Sequence, residues 1–265
     1  MAFRIAIGNN KGGTGKTTTT VQLAAGLAEN GKRVLVVDMD PQANASRRLG
    51  FRFSEADPVP TVSEAIKADA AGVATDAITA IGWDAPYSER ISLIPARFDL
   101  ENRISEAAVL GAVSRLRKAL DGVDDDYDYT LIDCPPSLGH LTQLALAATD
   151  AAVCTLEPEY DAVEAAVRFR DFIDAQAAEL KNPGLTVIGY IVNRVRSTLG
   201  AHDFQLDGLP DLFGDRIWCR LEERTAIKDA ADSAAPLSAL KSTTAKNQSS
   251  NYKELAARII EETQA

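Results

Sequence analysis

Residues 9–18 read NNKGGTGKTT, and this stretch decides the fold of the 265-residue chain. It follows an apolar run at 3–8 and precedes a segment whose apolar residues recur with helical spacing, at Val21, Ala24, Ala25 and Ala28. A strand, a glycine-rich loop and a helix, in that order, are the context that a phosphate-binding loop requires. The sequence therefore predicts that this loop binds a nucleotide.

The residue types in the loop suit a nucleoside triphosphate. Glycines leave backbone N–H groups free to wrap phosphate oxygens, and the following helix adds the positive end of its dipole. Lys16 is predicted to reach the β- and γ-phosphates, and the Thr17 hydroxyl to bind Mg²⁺. The nucleotide-binding residues predicted here are Gly12, Gly13, Thr14, Gly15, Lys16, Thr17 and Thr18.

Lys11 departs from the general pattern of phosphate-binding loops, which has glycine where this chain has Asn10. In an ordinary loop it would be a solvated lysine, but beside a triphosphate it either compensates charge or serves another subunit. The segment KGGTGKT resembles the deviant Walker A motif of the ParA/MinD family of ATPases. That resemblance implies an ATP-dependent homodimer in which Lys11 binds the partner's nucleotide and acts in catalysis together with Lys16.

Two further segments resemble that family in chain order. Residues 32–41 (KRVLVVDMDP) form an apolar strand that ends in Asp38 and Asp40. The resemblance implies that Asp40 is catalytic, orienting the attacking water, and that Asp38 supports the Mg²⁺ shell; an acidic turn that closes a strand is the alternative. Residues 129–136 (YTLIDCPP) resemble the Walker B strand, which implies that Asp133 holds Mg²⁺ through water.

A weaker signal lies in residues 186–194 (TVIGYIVNR), which read as a buried strand that ends at Asn193. In the MinD-like members of the family, an asparagine at this strand end recognises adenine, and an amide carries the paired donor and acceptor for that. Asparagine also commonly ends strands for structural reasons, so both interpretations stay open. Residues 152–162 resemble the family's segment near the dimer interface, and no side chain there is assigned a catalytic role.

Apolar runs alternate with helical stretches along the chain. Near-continuous apolar strands between helices indicate a parallel sheet buried on both faces. We therefore predict an α/β fold with a doubly wound, mainly parallel β-sheet flanked by helices, the P-loop NTPase fold, whose ligand lies at the carboxyl ends of the strands. The predicted strands are 3–8, 33–38, 91–95, 129–133, 151–156, 185–193 and about 216–218.

A single P-loop ATPase domain is expected over 1–265, because 46% hydrophobic residues can bury a substantial core. Residues 52–90 read as one or two short helices and loops inserted after the segment of Asp38 and Asp40. Residues 236–265 read as a C-terminal helical region. No DNA-binding module is expected ahead of the first strand.

The sequence gives no sign of export or of a membrane span. The first residues show no basic-then-apolar leader, and no apolar run approaches the ~20 residues that cross a bilayer. Cys134, Cys154 and Cys219 are odd in number and lack paired spacing, so neither a disulfide framework nor a zinc site is expected. We therefore expect a cytoplasmic protein.

The charge of the chain is unevenly distributed. The net charge of −10 disfavours nucleic acid, but residues 181–265 hold as many basic as acidic residues, and residues 236–258 carry a local excess of +3. ParA relatives bind DNA without sequence preference through basic residues in this part, once ATP has paired the subunits. The alternative is an ordinary solvated face. The DNA-binding candidates are Arg224, Lys241, Lys246 and Lys253.

The last helix, expected over about 250–262, has Tyr252, Ala256, Ile259 and Ile260 near one face. A MinD-type protein would grip a membrane with such a helix, which favours a strongly basic polar face. This helix ends in two glutamates, so packing against the domain is the better interpretation and no membrane partner is expected.

The resemblance implies a ParA-type ATPase that uses ATP and Mg²⁺, binds non-specific DNA on the nucleoid and partitions plasmid or chromosome copies, stimulated by a ParB-like adaptor protein. The first alternative is a MinD-like positioning ATPase that acts on a membrane or a protein cargo. The second is a nucleotide sensor that does not hydrolyse ATP, which Asp40 disfavours.

Overall fold

The computed structural model describes residues 1–54, 56, 58–196 and 200–264. One sheet contains β1 (Phe3–Gly8), β2 (Val34–Asp38), β3 (Thr79–Ala80), β4 (Ile91–Ile94), β5 (Tyr129–Asp133), β6 (Ala151–Leu156), β7 (Val187–Val195) and β8 (Ile217–Glu222). The α-helices are α1 (Lys16–Glu29), α2 (Asn44–Arg48), α3 (Val62–Ala68), α4 (Arg115–Ala119), α5 (His140–Ala147), α6 (Tyr160–Gln176), α7 (Gly200–Phe213), α8 (Thr225–Asp232) and α9 (Thr243–Gln264).

The strands lie in the order β3-β4-β2-β5-β1-β6-β7-β8, and all neighbours are parallel except β3, which runs antiparallel to β4. The predicted doubly wound, mainly parallel sheet is therefore confirmed. Within 52–90, where the sequence predicted one or two short helices without placing them, α3 begins with a capping box between Thr61 and Glu64. The sequence prediction missed β3, and positions 55 and 57 of that segment lie outside the described residues.

Side chains of the strands alternate between two apolar layers. Ile5 and Ile7 of β1 face the layer that contains α1, α8 and α9, whereas Ala6 faces the layer that contains α5 and α6. Both faces of the sheet are thus covered, as parallel sheets require. The carboxyl ends of β1, β2 and β5 remain as the edge where polar side chains gather.

α9 covers the outer side of α1. A Cβ on Gly26 of α1 would lie 2.5 Å from the carbonyl oxygen of Tyr252, so the two helix backbones nearly touch. The expectation that the last helix packs on the domain is confirmed, since Tyr252, Ala256 and Ile259 are buried. The helix begins at Thr243, earlier than predicted. Among the described helices none combines the length and apolarity needed to cross a membrane.

Candidate nucleotide-binding site

The glycine-rich loop joins β1 to α1 in a conformation that depends on glycine. Gly13 and Gly15 have φ angles of 85° and 90°, in the left-handed region that side chains disfavour. A Cβ on Gly15 would also lie 2.5 Å from Nδ2 of Asn193. The loop is anchored to β6, because the buried Asn9 amide donates a 2.6 Å hydrogen bond to the carbonyl of Thr155.

Lys16 begins α1 and is almost fully buried, with 6% of its surface exposed. Its ammonium group donates to the carbonyl oxygen of Lys11 at 2.8 Å. Burial lowers the pKa of Lys16, against the opposing pull of nearby carboxylates such as Asp133. A buried ammonium at the N-terminus of a helix is a strong site for an anion.

Asp133 lies fully buried at the end of β5 and accepts two hydroxyl hydrogen bonds, from Thr17 at 2.8 Å and from Thr20 at 3.0 Å. Asp38 is its register partner on β2 and accepts from the backbone N–H and the hydroxyl of Ser46. Burial, reinforced by the charge of Asp38, raises the pKa of Asp133 to about 7. Burial, with a smaller contribution from the charge of Asp40, raises the pKa of Asp38 to about 6.

Asp40 is also largely buried, with 9% of its surface exposed. Its Oδ1 accepts a 2.9 Å hydrogen bond from the backbone N–H of Gln42, and its own N–H donates to Asp38. Asp40 lines one cleft together with Gly12, Gly13, Gly15, Lys16, Thr17, Thr18, Gln42, Asn44, Arg48, Pro136 and Arg194. The fold therefore brings most of the predicted loop residues and Asp40 into one cleft, with Asp38 and Asp133 buried at the same edge of the sheet.

Lys11 and Thr14 take different positions in the loop. Lys11 is one third exposed, and its ammonium group lies 3.6 Å from the carboxylate of the half-exposed Glu159, in the segment between β6 and α6. Thr14 is buried and its hydroxyl is 3.1 Å from that of Thr155. Lys11 is thus accessible to solvent but does not line the cleft, and the Thr14 side chain packs inward.

Asn193 lies behind the loop, near the end of β7. Its amide Nδ2 donates to the carbonyl of Thr14 at 2.9 Å and to the hydroxyl of Thr19 at 3.3 Å. It also lines a second, more apolar cleft with Gly15, Thr18, Arg194, Leu221, Glu223, Arg224, Ile227, Lys228 and Tyr252. The amide braces the loop and borders a space beside it, and recognition of adenine there stays a prediction.

None of the DNA-binding candidates lines the cleft that contains Asp40 and Lys16. Lys241, Lys246 and Lys253 are exposed, the last two on α9, while Arg224 is exposed and pairs with Glu222. Sequence reasoning missed Arg48 and Arg194, which line the same cleft as Lys16 and Asp40. The only local signal for Arg48 was the paired arginine at 47–48 directly after the acidic turn.

The oxygen atoms beside Lys16 fit a magnesium ion. Mg²⁺ in nucleotide sites takes one or two carboxylates, a hydroxyl, phosphates and water. Thr17 and Asp133 supply the hydroxyl and a carboxylate. The raised pKa of Asp133, caused first by burial and then by the charge of Asp38, means that its ionised form is one that a divalent cation would stabilise. Within the described residues no three His, Cys, Asp or Glu side chains cluster as a metal site, so protein carboxylates alone do not form one.

The chain matches known proteins over most of its length. The model of an AAA domain family matches residues 3–187. The sporulation initiation inhibitor protein Soj of Bacillus subtilis is 45% identical over 165 residues, 62% of this chain and 62% of that protein. The chromosome-partitioning ATPase Soj of Thermus thermophilus is 40% identical over 189 residues, 71% of this chain and 68% of that protein.

Solved structures give the same fold. The septum site-determining protein MinD of Pyrococcus horikoshii, complexed with Mg-ADP, superposes with a TM-score of 0.75 at 25% identity. The superposition covers 98% of this chain and 96% of that one. The match to the Bacillus relative spans less than two thirds of that protein, and residues beyond 187, which include β8 and α9, lie outside the family model.

Proposed function

The chain belongs to the ParA/MinD family of P-loop ATPases, and on that premise we propose that it is a ParA-type partitioning ATPase. The observation that carries the proposal is the single cleft in which Lys16, Thr17 and Asp40 meet, directly beside the buried Asp133. These are the groups that a phosphoryl transfer to water needs: a cation, a metal ligand and a carboxylate that positions the nucleophile.

The nucleotide's phosphate chain would lie along the glycine loop. The Lys16 ammonium then gains an anionic partner in place of the Lys11 carbonyl, which offsets the cost of its burial. Thr17 and Asp133 would hold Mg²⁺, with Asp38 supporting Asp133, and the bound ion would neutralise charge on the phosphate oxygens. Asp40 is anchored through Oδ1, and its other oxygen would orient the attacking water.

Lys11 would act across a two-fold dimer. Its ion pair with Glu159 joins two partly exposed side chains, and such pairs contribute only about 0–1 kcal/mol. Lys11 can therefore exchange this partner for the phosphates of a nucleotide on the second subunit at little cost. Its neutralising charge would couple dimerisation to the presence of ATP.

DNA binding would follow from dimerisation. Lys246 and Lys253 are seven positions apart on α9 and so share one exposed face. Each dimer would present this face twice, and every added phosphate contact strengthens binding in a salt-dependent way. Hydrolysis, stimulated by a ParB-like adaptor, would separate the subunits and release DNA.

Co-sedimentation of the full chain with DNA and with liposomes of anionic lipid, each with and without Mg²⁺·ATP, tests this function. We expect ATP-dependent sedimentation with DNA that is abolished in Lys16→Ala. The double variant Lys246→Gln/Lys253→Gln should weaken DNA binding several-fold, because each lysine that neutralises a DNA phosphate releases about one counterion and thereby favours binding. The matched double variant Lys67→Gln/Lys181→Gln removes the same charge from exposed sites off α9 and should bind normally.

The other outcomes are equally informative. ATP-dependent sedimentation with liposomes but not with DNA would replace the partitioning function by a MinD-like one. An unchanged DNA affinity in the α9 variant would remove α9 from the DNA-binding surface. Absence of phosphate release from ATP with both DNA and the adaptor protein present would favour the nucleotide sensor.

A further inference from the structure

Arg48 is the last residue of α2 and reaches into the nucleotide cleft. Its guanidinium Nη1 donates a 2.7 Å hydrogen bond to the hydroxyl of Thr18, in the first turn of α1. The side chain lines the same cleft as Lys16, Thr17 and Asp40. It therefore brings a second positive charge to the place where we expect phosphate.

The charge of Arg48 is poorly compensated by the protein. Burial lowers the pKa of its guanidinium, and Asp133 and Asp232 are the carboxylates whose charges oppose that shift. Neither approaches Arg48 within ion-pair distance, and in the part of the chain that the structure describes its side chain has only the Thr18 hydroxyl as a hydrogen-bond partner. A guanidinium has five N–H donors, so most of this fork is unused.

Other arginines nearby are compensated differently. Arg194 lines the cleft as well, but its Nη1 lies 3.0 Å from the carboxylate of Glu157. Arg47, next to Arg48, is exposed and donates to the carbonyl of Gln42 and the side chain of Asn44 within its own turn. Arg48 is thus distinguished from both by lacking a protein anion while lining the cleft.

The backbone of Arg48 is fixed by a segment outside the glycine loop. The indole N–H of the buried Trp83 donates to the carbonyl of Arg48 at 3.0 Å, and the N–H of Gly82 donates to the carbonyl of Leu49 at 2.8 Å. A Cβ on Gly50 would lie 2.8 Å from the Cα of Gly82, so the two segments are in close contact. The segment at 82–83 therefore holds the end of α2 against α1.

We propose that Arg48 is a nucleotide-contacting residue whose guanidinium binds the phosphate chain of ATP from the α2 side of the cleft. The inference rests on the proposed function, because it takes ATP as the ligand of this cleft. Arginine suits the task, since its planar fork can bind phosphate oxygens while one N–H stays on Thr18. Two cations of the same subunit, Lys16 and Arg48, would then both face the phosphate chain.

Titration of Mg²⁺·ATP into the full chain tests the inference. Arg48→Met keeps an unbranched stem and removes the guanidinium charge, and should weaken ATP binding about 10- to 100-fold, as expected for a charge-assisted hydrogen bond. Arg48→Lys should recover part of the affinity. Arg47→Met, the matched control next to it in α2, should bind ATP as the wild type does.

A purely structural role through Thr18 is separated by a double-mutant cycle. If Arg48 only braces the Thr18 hydroxyl, Arg48→Met has no further effect on ATP affinity in a Thr18→Ala background. Our inference expects a further loss of affinity of at least about tenfold there, since the phosphate contact is independent of that hydroxyl. Thermal unfolding of each variant checks that the fold is retained.

The remaining outcomes distinguish this inference from the function on which it rests. Wild-type affinity in Arg48→Met, with binding abolished in Lys16→Ala, would overturn the role of Arg48 and leave the nucleotide site intact. A wild-type chain that does not bind Mg²⁺·ATP would overturn both.

Discussion

Buried aspartates lie at both ends of the central strands, and the two ends differ in whether a cationic side chain pairs with them. At the amino end of β5, Asp124 receives two hydrogen bonds from the Arg4 guanidinium, at 2.7 and 2.8 Å, and one from Thr130. At the carboxyl end, Asp38 and Asp133 lie side by side, and no guanidinium or ammonium group of the described residues forms an ion pair with either.

The pKa values record this difference. Burial favours a higher pKa for Asp124, but the bonds from Arg4 and Thr130 outweigh it and hold that pKa below its ordinary value. Burial raises the pKa of both Asp133 and Asp38, and the charge of a neighbouring carboxylate adds to it, that of Asp38 at Asp133 and that of Asp40 at Asp38. The ionised Asp124 at the amino end therefore stabilises the fold through its pairing with Arg4. Asp38 and Asp133 at the carboxyl end are carboxylates whose ionised forms an added cation would stabilise.

The largest effect is expected when the ion pair between Arg4 and Asp124 is removed. Asp124→Asn leaves the buried Arg4 guanidinium without its anion, which should lower the free energy of unfolding by about 3–5 kcal/mol. Urea denaturation measures the change. Asp125→Asn is the matched control, because this neighbouring aspartate is exposed and its ion-pair partner among the described residues is the N-terminus; it should change stability by less than about 0.5 kcal/mol. Equal stability of the two variants would contradict this account of Arg4.

Asp133→Asn, at the carboxyl end of β5, should change the free energy of unfolding in the opposite direction. Removing one of two adjacent buried carboxylates relieves repulsion, so the nucleotide-free protein should gain about 1 kcal/mol of stability at neutral pH. The same change should reduce Mg²⁺-dependent ATP hydrolysis by about 100-fold or more, because it removes a charged group at the reacting phosphates. Phosphate release and urea denaturation give the two readouts. A destabilised Asp133→Asn protein would place Asp133 with Asp124 as a structural residue.

The contrast between the ends also explains what the sequence could predict. The loop, Asp38 and Asp133 are encoded in short contiguous motifs that follow apolar runs, and the strands fix where their ends meet. The pairing of Arg4 with Asp124 joins residues 120 positions apart and has no local pattern. The position of Arg48 depends on Trp83, which lies in the segment 52–90, where the sequence pattern did not place individual elements.

The strand β3 and the burial of α1 could not be predicted from the pattern of apolar and polar residues. β3 is only two residues long, too short to show an alternation of apolar and polar residues. α1 is buried on nearly all sides, because α9 from the far end of the chain covers the face that periodicity would leave to solvent. Tertiary packing decides both, and a local sequence window does not contain it.

The smallest and sharpest test of the comparison is the pH dependence of stability without nucleotide. Asp38 and Asp133 have folded pKa values raised to about 6 and about 7, so their folded forms bind more protons than the unfolded chain. Their contribution to stability is present below the ordinary aspartate pKa and is lost as the pH rises through about 7. The lowered pKa of Asp124 acts in the other direction, and its contribution is lost as the pH falls below about 4.

Urea denaturation of the wild type and of Asp133→Asn at about pH 5 and about pH 7.5 measures how much stability is lost as Asp38 and Asp133 release their protons. We expect the stability of the wild type to fall by about 1–2 kcal/mol more than that of the variant over this interval, since one pKa unit corresponds to about 1.4 kcal/mol. Mg²⁺ and ADP should diminish the fall in the wild type, because a bound cation favours the ionised carboxylates that the pH rise creates. Parallel pH profiles of the wild type and the variant would mean that the pKa of Asp133 is not raised in the folded protein, and the contrast with Asp124 would then fail.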